Sequence, residues 1–143
     1  MIDSFSGTHR FLSNFWLCPV NYKGIEFRSV ENAYQASKCV CPIMWWDFLT
    51  LSPGQAKRFG CKIPIRHDWE AIKVGVMRDL IRRKFQDPEL IAMLLCTGDE
   101  ELIEGNNWGD VFWGVCNGKG ENWLGRILME VREDLRKELN SKI

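Results

Sequence analysis

The feature that most constrains the fold is an amphipathic stretch at residues 67–85, HDWEAIKVGVMRDLIRRKF. Its large apolar residues recur at helical spacing, while Arg and Lys occupy the positions between them. The segment is therefore predicted to be a long helix with one face turned to a core. The residues expected on that face are Trp69, Ile72, Val76, Leu80 and Ile81.

Further helices are predicted from capping signals. Two helices are expected at residues 29–40 and 43–51. A third begins after Ser52-Pro53 and ends at Gly60, and a fourth begins after Asp87-Pro88. The last runs from Trp123 to about Leu139, with Asn122 as its N-cap. A hairpin around Lys23-Gly24 within residues 9–28, and the segments ELIEG and VFWGV, supply short strands. The prediction is one α+β domain over residues 1–143, rich in helices, with a few short strands near both ends.

Composition limits the classes of function. The chain has 19 Lys and Arg residues against 19 Asp and Glu residues, so it has no overall charge that would attract nucleic acid or anionic lipid. Tight nonspecific binding of duplex DNA is therefore not expected. No segment approaches the length of a membrane span and the N-terminus lacks a secretion signal, so we expect a cytoplasmic protein without a membrane partner.

Neither a metal nor another cofactor is expected. The six cysteines lie mostly in apolar segments and are interpreted as reduced thiols. Cys39 and Cys41 form C-x-C rather than C-x-x-C, and His9 and His67 stand alone in the sequence. These spacings do not match a zinc site.

A column of polar residues lies in the stretch SVENAYQASK, residues 29–38. If this stretch is helical, Glu31, Gln35 and Lys38 fall at i, i+4 and i+7 and share one side of the helix. A carboxylate, an amide and an amine in one column are suited to acid–base or nucleophilic chemistry. The alternative is that Glu31 and Lys38 line a solvated helix face.

Two further groups of polar residues follow later in the chain. The loop from Glu104 to Asp110 ends in a carboxylate that could instead belong to a turn. The segment GVCNGKGEN, residues 114–122, precedes a helix and gives a weak signal for an anion site. A turn that needs flexible backbone explains these glycines equally well.

Seven segments taken together resemble one known family. In order they are FLSNF (11–15), SVENAYQASK (29–38), DW (68–69), KFQDPEL (84–90), LLCTGDEELIE (94–104), WGDVFWGV (108–115) and GKGENWLGRILMEVR (118–132). The chain thus resembles the NADAR family, also called YbiA-like proteins, over nearly its whole length. The resemblance implies an N-glycosidase. Two substrate groups are implied: phosphoribosylamino-pyrimidine intermediates of riboflavin synthesis, and guanine that carries ADP-ribose on its exocyclic amine.

The resemblance also implies roles for individual residues. Glu31, Lys38 and Asp110 are the expected catalytic residues. The family pattern has His where this chain has Asn32, so no histidine acts at that position. Tryptophans are expected to stack on a base, although core packing explains each of them equally well. The expected substrate-binding residues are Asn14, Phe15, Tyr34, Gln35, Trp69, Trp108, Trp113, Gly114, Gly118 and Asn122.

Two mechanisms fit the shared chemistry of these substrates, a ribose C1 bonded to an exocyclic aromatic amine. Lys38 could capture the ring-opened sugar as a Schiff base while Glu31 transfers protons. Alternatively, Glu31 or Asp110 could activate water directly while Lys38 holds a phosphate. We expect ADP-ribosylated guanine, in nucleic acid or a nucleotide, as the substrate. The alternatives are the riboflavin intermediates, or a domain that binds ADP-ribose or a nucleotide without turnover.

Overall fold

The computed structural model describes all 143 residues. The chain divides into two compact units, which are described separately below. The middle unit is Asn14–Lys84, and the terminal unit combines Met1–Ser13 with Phe85–Ile143. The prediction of a single domain over residues 1–143 stays a prediction.

The middle unit begins with a short antiparallel hairpin. Strand β1, Val20–Tyr22, pairs with strand β2, Ile25–Phe27. The connecting residues Lys23 and Gly24 both have positive φ, 50° and 81°, as a tight two-residue hairpin turn requires. The predicted hairpin is confirmed at its centre, but its strands are shorter than the alternating pattern of residues 9–28 indicated. Residues 7–12 of the terminal unit form a 3₁₀ helix instead.

Three α-helices follow in the middle unit. Helix α1 is Val30–Ser37, helix α2 is Pro53–Gly60 and helix α3 is Trp69–Lys84. The Ser29 hydroxyl accepts the Asn32 N–H, and Ser52 forms a complete capping box with Gln55, so each serine caps the helix that follows it. The apolar segment between α1 and α2 forms a 3₁₀ helix, Pro42–Phe48.

Helix α1 lies at the centre of the middle unit. It packs against α2, α3, the 3₁₀ helix and the hairpin, and all eight of its residues are buried. Small side chains at Ala33 and Ala36, both without solvent exposure, allow these close approaches. Polar residues on α1 are therefore enclosed by protein.

The terminal unit contains the remaining elements. Helix α4 is Pro88–Leu95 and helix α5 is Trp123–Ser141. Strands β3, Gly105–Asn106, and β4, Val115–Cys116, form a parallel pair of only two residues each. The strands predicted for ELIEG and VFWGV were too long. Only the last residue of each segment, Gly105 and Val115, belongs to β3 or β4.

The observed architecture confirms the predicted fold class. Helices dominate, and the two small sheets contain strands of two or three residues. No helix combines the length and the apolar character needed to cross a membrane.

Candidate active site

The polar column predicted on α1 is present and largely buried. The side-chain amide Nε2 of Gln35 donates a hydrogen bond of 2.8 Å to Oε1 of Glu31. Glu31 is 7% exposed and Gln35 is 4% exposed. The alternative that Glu31 lines a solvated helix face is therefore wrong.

Lys38 lies at the end of the column and directly after the last residue of α1. Its backbone is still helical, and its side chain is half-buried. Burial lowers the pKa of Lys38, and the nearby carboxylate of Glu31 only partly opposes this effect. The cations Lys57 and Lys73 lower the pKa further. The neutral form of the Lys38 amine is therefore more accessible in this site than it is for a lysine in water.

Two aromatic rings adjoin the column. The Tyr34 and Trp69 rings have centroids 5.1 Å apart at an interplanar angle of 59°. Both residues are almost fully buried. Trp69 begins α3, so this contact also joins α3 to α1, as the core-packing interpretation of Trp69 predicts.

Asn14 and Phe15 lie beside the first turn of α1. The Asn14 carbonyl accepts the Glu31 N–H at 3.1 Å, one of the helix N-terminal amides that need an outside partner. Its side-chain Nδ2 donates to the sulfur of Met77 at 3.5 Å, while its Oδ1 is buried without a hydrogen-bond partner. The ring of Phe15 has its centroid 6.0 Å from Nζ of Lys57.

Asn32, next to Glu31, has a structural role in this arrangement. It is fully buried, and its Nδ2 donates to the carbonyls of Phe48 and Leu51, each at 2.9 Å. Its Oδ1 accepts the Ser29 hydroxyl at 2.6 Å. The side chain therefore ties α1 to the segment that precedes α2.

In the terminal unit, Asp110 organises a tight turn. Its Oδ1 accepts the backbone N–H groups of Phe112 at 3.1 Å and Trp113 at 2.9 Å. Its own N–H donates to Oδ1 of Asn106 at 3.0 Å. One carboxylate oxygen of Asp110 therefore forms the hydrogen bonds of the turn, while Oδ2 accepts no hydrogen bond from the protein.

The tryptophans of the same loop differ in environment. Trp108 is 59% exposed, whereas Trp113 is half-buried with its ring 4.8 Å from the ring of Phe112 in an edge-on arrangement. An exposed indole has surface on which a planar ligand can stack. Trp108 therefore fits a stacking role better than Trp113 does.

The glycine segment before α5 is shaped by close backbone contacts. A Cβ at Gly114 would overlap the Glu104 carbonyl oxygen and lie 2.8 Å from Nδ2 of Asn106. Gly118 has a φ of 75°, which favours glycine. The interpretation of these glycines as turn residues is consistent with both observations.

Asn122 differs from its prediction as a helix cap. It occupies the N-cap position of α5 with a φ of 55°, but its side chain makes no capping hydrogen bond. Instead, its Nδ2 donates to the Leu102 carbonyl and its Oδ1 accepts the Glu104 N–H, both at 2.9 Å. The amide is used to connect the start of α5 to the chain before β3.

The six cysteines form no disulfide, and no group of three or more His, Cys, Asp or Glu side chains is placed to hold a metal ion. The side chains that could take part in catalysis are those of the column on α1 and of the Asp110 loop.

The fold and the buried column define a small α+β protein with a carboxylate, an amide and an amine on one central helix. Residues 4–136 match the family model described as "NADAR domain", and the chain belongs to this family.

Curated relatives cover much of the chain. It is 38% identical over 128 residues to "N-glycosidase YbiA" of Escherichia coli (strain K12), covering 86% of this chain and 79% of that protein. It is 40% identical over 134 residues to "Riboflavin biosynthesis protein VVA0006" of Vibrio vulnificus (strain YJ016). That match covers 90% of this chain but spans only 36% of the length of the Vibrio protein.

A solved structure supports the same relationship. The NMR structure of the E. coli protein YbiA superposes with a TM-score of 0.83 at 36% sequence identity. The superposition covers 96% of this chain and 88% of that chain.

Proposed function

We propose that this protein is an N-glycosidase that cleaves the bond between a ribose C1 and an exocyclic aromatic amine. The observation that carries the proposal is the buried column on α1, in which Glu31 lies near an amine whose pKa is lowered by burial. The names of the YbiA relatives support an enzyme that acts on N-glycosyl bonds.

In the proposed mechanism Lys38 is the nucleophile. A glycosylamine opens its sugar ring to an imine at C1 as the proton on its nitrogen passes to the ring oxygen, and the neutral Lys38 amine adds to that carbon. Glu31 donates a proton to the aromatic nitrogen, which leaves as the free amine and leaves C1 bonded to Lys38 as an imine. The Glu31 carboxylate then takes a proton from a water molecule that adds to C1. Collapse of this adduct frees Lys38 and the ribose.

Direct hydrolysis remains the competing mechanism. Here Glu31 or Asp110 activates water against an oxocarbenium-like C1, and protonated Lys38 binds a phosphate. The free Oδ2 of Asp110 is compatible with such a role. The two mechanisms differ in whether a covalent bond to Lys38 forms.

As the substrate we propose guanine that carries ADP-ribose on its exocyclic amine, in nucleic acid or in a nucleotide. The positive charge of Lys57 near Lys38 suits the phosphate groups that both candidate substrates carry, whereas Lys73 forms an ion pair with Glu70. A second candidate is a phosphoribosylamino-pyrimidine. It is favoured by the names of the Vibrio relative and of a maize relative, "Riboflavin biosynthesis protein PYRR, chloroplastic".

The test is a side-by-side assay of both substrates. The protein is incubated with ADP-ribosylated guanosine, with an oligonucleotide that carries the same modification, and with the phosphoribosylamino-pyrimidine. Mass spectrometry then measures free ADP-ribose from the guanine substrates and free ribose phosphate from the pyrimidine. The Glu31→Gln variant is the control. Release from the guanine substrates supports the proposal, and release only from the pyrimidine supports the second candidate. If the protein binds these substrates but releases no product from any of them, the proposed enzymatic function is contradicted and a binding module is favoured.

A further inference from the structure

The amide of Gln35 fills a confined space between Glu31 and helix α2. Its Nε2 donates to Glu31 at 2.8 Å, and its Oε1 is buried without a hydrogen-bond partner. A buried acceptor with no partner costs free energy that an apolar side chain of similar length, such as Met, would avoid. Packing alone therefore does not explain an amide at this position.

The other side of this space is formed by Gly60, the last residue of α2. A Cβ built on Gly60 would overlap Oε1 of Gln35 and lie 2.8 Å from its Cδ and 3.2 Å from its Cβ. Gly60 is buried, and its φ is not positive. Any L-residue can adopt that backbone conformation, so Gly60 is required for space rather than for a turn.

The buried amide has little room in which to move out of this overlap. The Cβ of Gln35 is fixed by the fully buried helix α1, and its side chain is 4% exposed. An alanine at position 60 would therefore force the Gln35 side chain into another rotamer and break its hydrogen bond to Glu31.

We propose that Gln35 and Gly60 are positioning residues that set the orientation of the Glu31 carboxylate for proton transfer. Gln35 supplies the hydrogen bond, and Gly60 supplies the room in which the amide can make it. This role differs from the substrate contact expected for Gln35. The inference rests on the proposed function, because it assigns Glu31 the proton-transfer role.

The positioning role predicts a specific pattern in a double-mutant cycle. Gln35→Ala and Gly60→Ala should each lower kcat by about 10-fold or more, because a misplaced proton donor is strongly impaired, while KM changes less than about 2-fold. Gly60→Ala should have no added effect in a Gln35→Ala background, since the amide that it displaces is gone. The double variant removes the overlap with the amide and leaves only the 3.2 Å approach between the Cβ atoms of residues 35 and 60, so it should keep the fold if Gly60→Ala alone does not.

Gly54→Ala is the matched control. Gly54 lies on the same helix, where a Cβ would meet only the end of the Arg58 side chain at 3.6 Å. This variant should keep kcat within about 2-fold of wild type. Wild-type kcat for Gln35→Ala, or multiplied losses in the double variant, would overturn the inference.

A second readout separates this inference from the proposed function. The side-chain amide signals of Gln35 in ¹H–¹⁵N NMR spectra should shift as Glu31 titrates, and the shift should be absent in Glu31→Gln and in Gly60→Ala. Lack of product from wild type with every substrate overturns the proposed function, and a normal NMR titration would still support the contact. Product formation with an unchanged titration in Gly60→Ala overturns the positioning role alone.

Discussion

Nζ of Lys38 lies 5.5 Å from the centroid of the Tyr34 ring, one helical turn before it on α1. This distance is within the range of a cation–π interaction, which stabilises the ammonium form. Burial acts in the opposite direction and is the largest influence, so the pKa of Lys38 is lowered from its ordinary value of 10.5. The ring therefore holds the side chain in place while its surroundings make the proton easier to lose.

The pH dependence of turnover should report this lowered pKa. Since the Schiff-base route needs the neutral amine, kcat/KM should fall as the pH drops below the pKa of Lys38. Lys57 lowers the pKa of Lys38, so Lys57→Met should move this limb to higher pH. Lys137→Met, on the exposed face of α5, should leave the profile unchanged. An unchanged profile in Lys57→Met would contradict the assignment of this limb.

Glu31→Gln should keep the fold and remove most turnover. An amide oxygen at position 31 can still accept the hydrogen bond from Gln35, so the packing of α1 is retained, but the group can no longer exchange a proton. We expect a loss of about 10²–10⁴-fold in kcat. Product release followed by mass spectrometry measures the loss, and circular dichroism with a melting curve checks the fold. Activity near wild type in a folded variant would exclude Glu31 as the acid.

Local signals in the sequence predicted the helices and the column well. Ser29, Ser52 and Asp87 each accept a backbone N–H three residues later, as their capping patterns indicated. The spacing of Glu31 and Gln35 predicted their contact, because residues four apart on a helix are neighbours. These features depend only on nearby residues and so are visible in a single sequence.

Features that depend on distant residues were not predictable in this way. Gly60 ends α2, as predicted, but the contact with Gln35, 25 positions earlier, which is what excludes a larger side chain there, could not be read from the sequence. Asn122 was expected to cap α5, but its amide is occupied by Leu102 and Glu104. The capping prediction for Asn122 was wrong because a tertiary contact overrides the local rule.

Asn32→Ala should destabilise the protein without touching the column. The substitution removes the donor for the carbonyls of Phe48 and Leu51 and the acceptor for the Ser29 O–H in a buried region, while the Ser29 oxygen still accepts the backbone N–H of residue 32. We expect a loss of about 2–4 kcal/mol in the free energy of unfolding, measured by urea denaturation. The control Asn21→Ala, at an exposed strand position, should cost less than about 0.5 kcal/mol. Equal costs for the two variants would show that the Asn32 network adds no stability.

Two substitutions at Asp110 distinguish its structural role in the turn from a catalytic role of its carboxylate. Asp110→Asn keeps one acceptor for the N–H groups of Phe112 and Trp113, whereas Asp110→Ala removes it. If Asp110 activates water in the competing direct hydrolysis, both variants should lose at least about 10-fold in kcat, and only Asp110→Ala should also lose about 1–2 kcal/mol of stability. Full activity in Asp110→Asn would restrict Asp110 to the turn.

Lys38→Arg should distinguish the Schiff-base mechanism from direct hydrolysis. Arginine keeps a positive charge for a phosphate, but its guanidinium stays protonated and cannot form an imine. The variant should therefore bind the substrate and lose turnover by at least about 10²-fold. Isothermal titration calorimetry measures binding, and mass spectrometry measures product. Lys57→Arg is the matched control, and it should keep its activity because the charge at that site is preserved.

Borohydride trapping tests the same mechanism through the covalent intermediate itself. Hydride from borohydride reduces the imine between Lys38 and C1 to a secondary amine, which fixes the sugar to the protein and stops turnover. Peptide mapping should place this adduct on Lys38, and the Lys38→Arg variant should give none. The reagent must be added while product is accumulating, since the imine exists only during turnover. Rapid turnover by Lys38→Arg, or the absence of an adduct while wild type forms product, would exclude the imine. Direct hydrolysis through Glu31 or Asp110 would then be the mechanism to test.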